Sequence, residues 1–377
     1  MKWRRVWAIG RKEFLHVFRD PRSLGLALAI PVLLLVLFGY ALTLDVDNVQ
    51  TVVWDQDGTP ASRELVSRFL GSRYFGSAGR ADNYRQIEEA LLSRRALVAL
   101  VVPRGFEGDM RTGRKARVQL IADGSDANTA TLALGYAEAV VEAYSQEIVI
   151  QTVQRLGGKP LSPPLEVRPR VWFNTELESK NYIVPGLIAI IMMIITALLT
   201  ALTVAREWET GTMEQLVSTP VRGTELIVGK LVPYFSIGMF DLLVAVLMGQ
   251  YMFHVPLRGS VPLVFGISAV FLLGALSMGM VISVVAKNQL MANQLAMITT
   301  FLPTFLLSGF VYAIANMPPP VQVITHIVPA RYFIALLRGV YLKGVGLRVM
   351  ATDAALLAVF GVVMFALAIG RFKKKLE

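Results

Sequence analysis

No cysteine occurs in these 377 residues, which excludes disulfide staples, thiolate metal sites, cysteine nucleophiles and cysteine-ligated haem or iron–sulfur centres. Histidine is nearly as scarce. His16, His254 and His326 lie far apart without ligand-like spacing, which argues against a metal centre. Charge is also short, at 17% of residues against about 25% in soluble chains, while 54% are hydrophobic and the mean hydropathy is +0.55. Lipid is therefore part of the solvent. Missing too is any G-x-x-x-x-G-K-[S/T] phosphate cradle: Gly158-Lys159 is followed by Pro160, and Gly229-Lys230 by Leu231.

What the chain does contain is long, almost uncharged apolar sequence in runs of about 20 residues, the length that crosses a membrane as a helix. Six such windows stand out: 23–44, 181–205, 231–253, 259–286, 289–312 and 352–370. Pro31, Pro185, Pro233 and Pro303 fall within or at the ends of spans, where neighbouring helices can satisfy freed carbonyls, so kinks are expected and not breaks. Between the windows lie an N-terminal segment 1–22, a long insertion 45–180, a cytoplasmic segment 206–230, an extracytoplasmic re-entrant or loop region 313–351 and a tail 371–377. Met317-Pro318-Pro319-Pro320 reads as a break.

Basic residues in the short flanks set orientation. Seven lie in the first 22 residues and four in the tail (Arg371, Lys373, Lys374, Lys375), so both termini are expected in the cytoplasm. The formal charge of +10 would otherwise suggest a nucleic-acid binder, but 45–180 carries 17 basic against 18 acidic residues. The excess belongs to the membrane part, so no nucleic-acid partner is expected. The first window is too long for a signal h-region and reads as a retained span. The expected fold class is thus an all-α membrane bundle of six transmembrane helices with an N-terminal interfacial helix, plus an extracytoplasmic α+β domain inserted between spans 1 and 2.

Within the insertion, Val49–Trp54, Ala96–Val102 and Arg117–Ile121 read as strands, and Thr59–Leu70 and Tyr84–Leu92 as helices. A long helix follows over Asp126–Leu156, ended by the Gly/Pro-rich stretch 157–164, and a last strand is expected near Leu165–Phe173. Asp55, Asp57, Asp123 and Asp126 adjoin glycines before helices, so turn and N-cap chemistry is favoured over a cation or hydrolytic carboxylate site.

In the first segment Trp3, Val6, Trp7, Gly10, Phe14, Val17 and Phe18 fall within an arc of about 120°, opposite Arg5, Lys12, His16 and Arg19, the pattern of a helix lying on the inner leaflet. It reads equally as an anchor or as a lever contacting a cytoplasmic partner. More specific is Arg206-Glu207-Trp208-Glu209-Thr210-Gly211-Thr212-Met213-Glu214-Gln215-Leu216-Val217-Ser218-Thr219-Pro220-Val221. Thr212 and Gln215 have capping-box spacing, Glu214 sits in the first turn, and Pro220 stops the helix. Its carboxylates run against the positive-inside tendency, so something basic should meet them.

This segment resembles the coupling segment of ABC-2-type exporter permeases, membrane subunits of ATP-binding cassette transporters. So do Leu307-Ser308-Gly309-Phe310-Val311-Tyr312, Asn316-Met317-Pro318, and the run from Ile327-Val328-Pro329-Ala330-Arg331-Tyr332-Phe333 to Arg338-Gly339-Val340-Tyr341-Leu342-Lys343-Gly344. The likeness spans essentially the whole chain and is nearest to the YbhS/YbhR type of bacterial inner-membrane permease. It implies a half-transporter in which two permease subunits, identical or paralogous, face each other and each docks a cytoplasmic ATPase subunit. ATP and Mg would bind on that partner chain, this chain would hold no cofactor and catalyse nothing, and a periplasmic adaptor is an optional further partner. The coupling role would fall to Arg206, Glu207, Glu209, Gly211, Thr212, Glu214, Gln215 and Pro220.

The expected function is export of a hydrophobic or amphipathic substrate, drugs among the candidates, by alternating access. An ATP-independent receptor or scaffold, and an ion-coupled carrier, are the alternatives; the acidic coupling loop weighs against the first, and the scarcity of ionisable residues in the spans against the second. Asp241, in the third span, is either a hydrogen-bonded tie between helices or a cation-recognition group. With Met278, Phe301 and Phe305 it marks a substrate or packing site. Ala275, Gly279 and Ser283, four apart, form a strip for close helix packing.

Overall fold

A computed structural model describes residues 2–42, 48–155, 172–174 and 178–372. They fall into two compact units, Met1–Thr43 with Val171–Glu377, and Leu44–Arg170.

The first unit opens with α1 (Trp3–Arg19), which buries Val6, Ile9, Gly10 and Glu13 and leaves Trp3, Trp7 and Phe18 exposed. The apolar arc read from the sequence therefore splits: its small and aliphatic members turn to protein, and its large aromatics turn outward. Helix α2 (Pro21–Ala41) follows directly, with proline at its first position, where a missing N–H costs nothing.

The second unit is an α/β layer. In chain order come β1 (Val49–Asp55), α3 (Pro60–Leu70), β2 (Phe75–Arg80), α4 (Tyr84–Leu92), β3 (Val98–Val102), α5 (Phe106–Arg111), β4 (Gln119–Ala122) and α6 (Ala127–Arg155). The sheet order is β2-β1-β3-β4, with β1 parallel to both neighbours and β4 antiparallel to β3. All five residues of β3 are buried because both faces are covered: Val98, Leu100 and Val102 meet Leu65, Phe69 and Ala137, while Ala99 and Val101 meet Ile87 and Ala90. The four aspartates are spent on backbone amides, nearby ones for Asp55, Asp123 and Asp126 and those at the start of α5 for Asp57. Asp55 accepts from the amides of Asp57 and Gly58, Asp57 from those of Gly105 and Glu107, Asp123 from that of Ser125, and Asp126 from that of Thr129. The stretch 157–164 and the basic residues 373–375 lie outside the described residues. So does the last strand expected near Leu165–Phe173, except for Trp172 and Phe173, which are not in a strand.

The first unit resumes with α7 (Ser179–Glu209), α8 (Thr212–Ser218), α9 (Gly223–Tyr251), α10 (Val261–Ala286), α11 (Gln289–Ala296), α12 (Leu302–Leu307), α13 (Pro319–Thr325), α14 (Pro329–Arg338) and α15 (Ala351–Arg371). Among the described residues, α7, α9, α10, the continuous Gln289–Leu307 and α15 are long and apolar enough to cross a membrane, and α2 adds the shorter apolar stretch Ala27–Ala41. Helices α13 and α14 meet at 84°, a broken span or a re-entrant loop. The fifth apolar helix stops at Leu307 and not at Tyr312, because Gly309 takes a left-handed conformation (φ +80) and turns the chain. Within it Met297–Phe301 forms a π turn just before Pro303, whose missing N–H unsettles the regular ladder.

Helix α7 is apolar on all sides and sits at the centre, as such a helix must. The Ala275/Gly279/Ser283 strip of α10 faces it. A Cβ at Gly279 would run into the Thr200 hydroxyl and the Ala197 carbonyl, and Ser283 Oγ accepts from the amides of Val204 and Ala205, both at 2.9 Å. On α10, Phe271 stacks on Phe333 of α14, centroids 3.9 Å apart.

Candidate functional site

The coupling segment takes its shape from the end of α7. Thr210 closes that helix by donating its hydroxyl to the Arg206 carbonyl at 2.8 Å, and Gly211, at φ +71, reverses the chain into α8. Thr212 is the first residue of α8 and not its cap. Its hydroxyl lies 3.1 Å from that of Thr210 and 3.4 Å from the Glu207 carbonyl, so the Thr212–Gln215 capping box expected from spacing does not form. Met213 is buried against Ile9 and Leu226 and pins α8 to α1 and α9. The Pro220 carbonyl accepts from the Arg5 guanidinium.

A one-sided cap does occur at the start of α9. Glu225, in the first turn of α9, accepts from the Arg222 amide at 3.1 Å and the Lys2 amide at 2.6 Å, and its carboxylate lies 3.6 Å from the Arg5 guanidinium. The start of α1 is thereby fastened to the start of α9.

One turn deeper is a buried charge cluster. Lys230 Nζ, 1% exposed, lies 2.8 Å from Glu207 Oε1 and 3.3 Å from Glu13 Oε1. Lys12 reaches the same Glu207 oxygen at 3.3 Å, and the Tyr234 hydroxyl donates to Glu13 at 3.5 Å. Ions this far from water persist only when paired. Helices α1, α7 and α9 are thus joined by charge as well as by Ile9 packing on Gly229. Of the three carboxylates for which the sequence predicts a basic partner, Glu207 is buried and met by the chain's own Lys12 and Lys230. Glu209 is exposed, and its Oε2 accepts from Gln289 at both the amide (3.2 Å) and the side-chain nitrogen (2.8 Å). Glu214 and Gln215 are exposed on α8. Arg206 lies 3.9 Å from Asp20 and donates to Gln289 Oε1 at 3.3 Å.

Lys12, Glu13, Lys230 and Tyr234 were not read as site residues. The signal was present for Glu13, an acid on the stripe Val6, Ile9, Gly10, Val17 that α1 turns inward. Beside this cluster a cavity of ≈ 440 Å³ opens between α1, α2, α7 and α9.

A family model described as "ABC-2 family transporter protein" matches residues 21–369. The chain belongs to the ABC-2 transporter family. The protein named "Probable multidrug ABC transporter permease YbhS" from Escherichia coli is 36% identical over 100% of this chain and 99% of its own length. "Probable multidrug ABC transporter permease YbhR", from the same organism, is 31% identical over 98% of this chain and 99% of its own. At 21% identity, "Linearmycin resistance permease protein LnrN" of Bacillus subtilis covers 96% of this chain and 98% of its own length. This ABC-2 chain is a multi-pass membrane permease subunit of an ABC transporter.

The four residues singled out in the spans lie on three membrane helices: Asp241 on α9, Met278 on α10, and Phe301 and Phe305 on the continuous Gln289–Leu307. Asp241 is buried on α9 and, among the described residues, accepts no hydrogen bond and makes no ion pair. Phe301 and Phe305 pack on each other with centroids 5.8 Å apart, Phe301 remaining 38% exposed, and Met278 is half-buried.

Proposed function

We propose that the chain is one half of an exporter in which two permease subunits, the same or paralogous, alternate access for a hydrophobic or amphipathic substrate while ATP and Mg are bound and turned over on separate cytoplasmic ATPase subunits. The observation that carries this is the fastened coupling segment: Met213 pins α8 to α1 and α9, Glu225 fastens those two helices to each other, and the buried Lys230 cluster joins both to α7, so force applied to α8 reaches the central helix. In this reading Glu209, Gly211, Thr212, Glu214, Gln215 and Pro220 form the docking surface, while Arg206 and Glu207 hold it from behind. Six spans (α2, α7, α9, α10, α11–α12 and α15) put α1 and both termini in the cytoplasm and residues 45–180 outside it, where a periplasmic adaptor could bind. The names of the Escherichia coli relatives suggest drugs among the substrates. Asp241, buried without a partner among the described residues, favours recognition of a cationic group over a structural tie.

Replacing Glu209 and Glu214 together with Lys should uncouple export and lose the copurifying ATPase while membrane insertion persists, since both side chains are exposed and folding loses little. Wild-type export with the ATPase still copurifying would show that the loop is only solvated, and export that persists without the ATPase would favour the ion-coupled alternative. Single cysteines at Ser72 and Ser218 should label from opposite faces of the membrane; labelling from one face would reverse the topology.

A further inference from the structure

We infer that the cavity between α1, α2, α7 and α9 binds a zwitterionic, amine-bearing phospholipid of the phosphatidylethanolamine class. The inference rests on the topology above only for the leaflet, the cytoplasmic one, from which that lipid comes. At ≈ 440 Å³ the space is within the range of small-molecule sites.

Its lining is sorted by polarity. On α7 the wall is made by Leu199, Leu202, Thr203, Arg206, Glu207 and Thr210, spaced by three and four, which is one helix face about 16 Å long. That face passes from leucine to ions. Val17, Leu24, Ala27 and Ile237 surround the apolar end, and Lys12, His16 and Asp20 the polar end. A ligand that fits along this gradient has an alkyl chain at one end and a charged head at the other.

The head must carry both signs. Lys12 and Arg206, with Lys230 reaching in behind them, balance Glu13, Asp20 and Glu207 in formal charge, so the mouth offers no net attraction to an anion. Glu207 supplies the second, independent observation. Its Oε1 is held by Lys230 and Lys12, whereas its Oε2 is buried without a hydrogen-bond partner among the described residues, on a side chain that lines the cavity. A primary ammonium brings three donors to that oxygen, and a trimethylated one brings none. Arg206, 3.9 Å from Asp20, is outside tight pairing range and has fork positions left for a phosphate, which Lys12 and the exposed His16 flank.

The full-length chain reconstituted in nanodiscs of equal parts phosphatidylethanolamine, phosphatidylcholine and phosphatidylglycerol, then released into mild detergent, can be weighed with its retained lipid by native mass spectrometry. Phosphatidylethanolamine should be retained at least about threefold over either competitor, a difference well under the tenfold that 1.4 kcal/mol confers. Glu207→Gln should bring that ratio close to one, and Ile237→Trp, which fills the apolar end, should lower total retention. Should Ile237→Trp fail to fold, a photoreactive residue replacing Leu202 should form an adduct bearing an ethanolamine head. Retention in bulk proportions, a preference for phosphatidylcholine or phosphatidylglycerol, or an unchanged preference in Glu207→Gln would overturn the site. Retention in detergent does not depend on which face α1 occupies, and the cysteine labelling reads only that, so the two failures are distinguishable.

Discussion

Lys230→Met tests the buried cluster most directly. Lys230 pairs with Glu207 at 2.8 Å and Glu13 at 3.3 Å, and its removal does not strand the two acids equally. Glu207 retains Lys12 at 3.3 Å, a lysine whose side chain is 56% exposed and therefore well screened. Glu13, 4% exposed, retains only the Tyr234 hydroxyl at 3.5 Å. Breaking a buried pair from one side costs about 3–5 kcal/mol, because a charge is left without compensation. At about 2–4 °C per kcal/mol, the thermal midpoint of the detergent-purified chain should fall by roughly 6–20 °C. Adding Glu13→Gln to Lys230→Met should recover more than half of the loss, whereas adding Glu207→Gln should recover little. A midpoint unchanged in Lys230→Met, or equal rescue by the two glutamines, would refute the assignment of Glu13 as the stranded charge.

Gly279→Val should prevent α10 from closing on α7, an overpacking cost of at least about 1–3 kcal/mol, seen as loss of monodisperse protein on size-exclusion chromatography, while Gly266→Val, where nothing lies within 4 Å of an added Cβ, should elute as wild type. The Thr59 hydroxyl, with the Gly105 and Glu107 amides, holds the Asp57 carboxyl below its ordinary value. Its stabilisation is therefore present above the unfolded pKa of about 3.9 and is lost as pH falls through the lowered folded value. Hydrogen exchange at residues 105–107 of the intact protein should accordingly be faster in Asp57→Asn than in wild type near about pH 7, with the gap closing at about pH 3 or below; a gap that widens on acidification would contradict the sign. Asp241→Leu should leave the thermal midpoint equal or higher, since among the described residues no partner is orphaned; a drop equivalent to about 1–3 kcal/mol would support the helix-tie reading.

Periodicity revealed elements whose signals are local. The helix over Tyr84–Leu92, the strand opening at Val49 and the long helix after Asp126 all follow from hydrophobic repeat and capping residues within a few positions. Strand β2 was missed because Phe75-Gly76-Ser77-Ala78-Gly79-Arg80 has almost no β-branched or alternating character; it is an edge strand held by pairing with β1, and Gly79 sits beside an irregular register. Helix α5, only six residues long, starts from a left-handed Gly105 and Asp57 amide contacts, which spacing does not reveal. Of the candidate site, the coupling segment was legible because its composition is unusual for a cytoplasmic flank. Its anchoring was not, since Glu13 and Lys230 are 217 positions apart and each looked unexceptional in its own window. The Thr212–Gln215 spacing misled because Gly211 shifts the helix start by one residue, which turns the expected cap into the first helical position.

Helix α7 has a mechanical consequence. Its 31 unbroken residues make a rod of about 46 Å, longer than the roughly 30 Å of hydrocarbon it would traverse. If the Glu209 end is the pivot, a rotation of about 10° sweeps the Ser179 end through about 8 Å. The stroke is set by rod length alone, so a small rotation delivered through α8 is geared up along the helix with no amplifying step in between. The π turn in the fifth apolar helix and the 84° bend between α13 and α14 are places where neighbouring segments can flex to accommodate that sweep, while within the rod Pro185, near the Ser179 end, is a proline kink site.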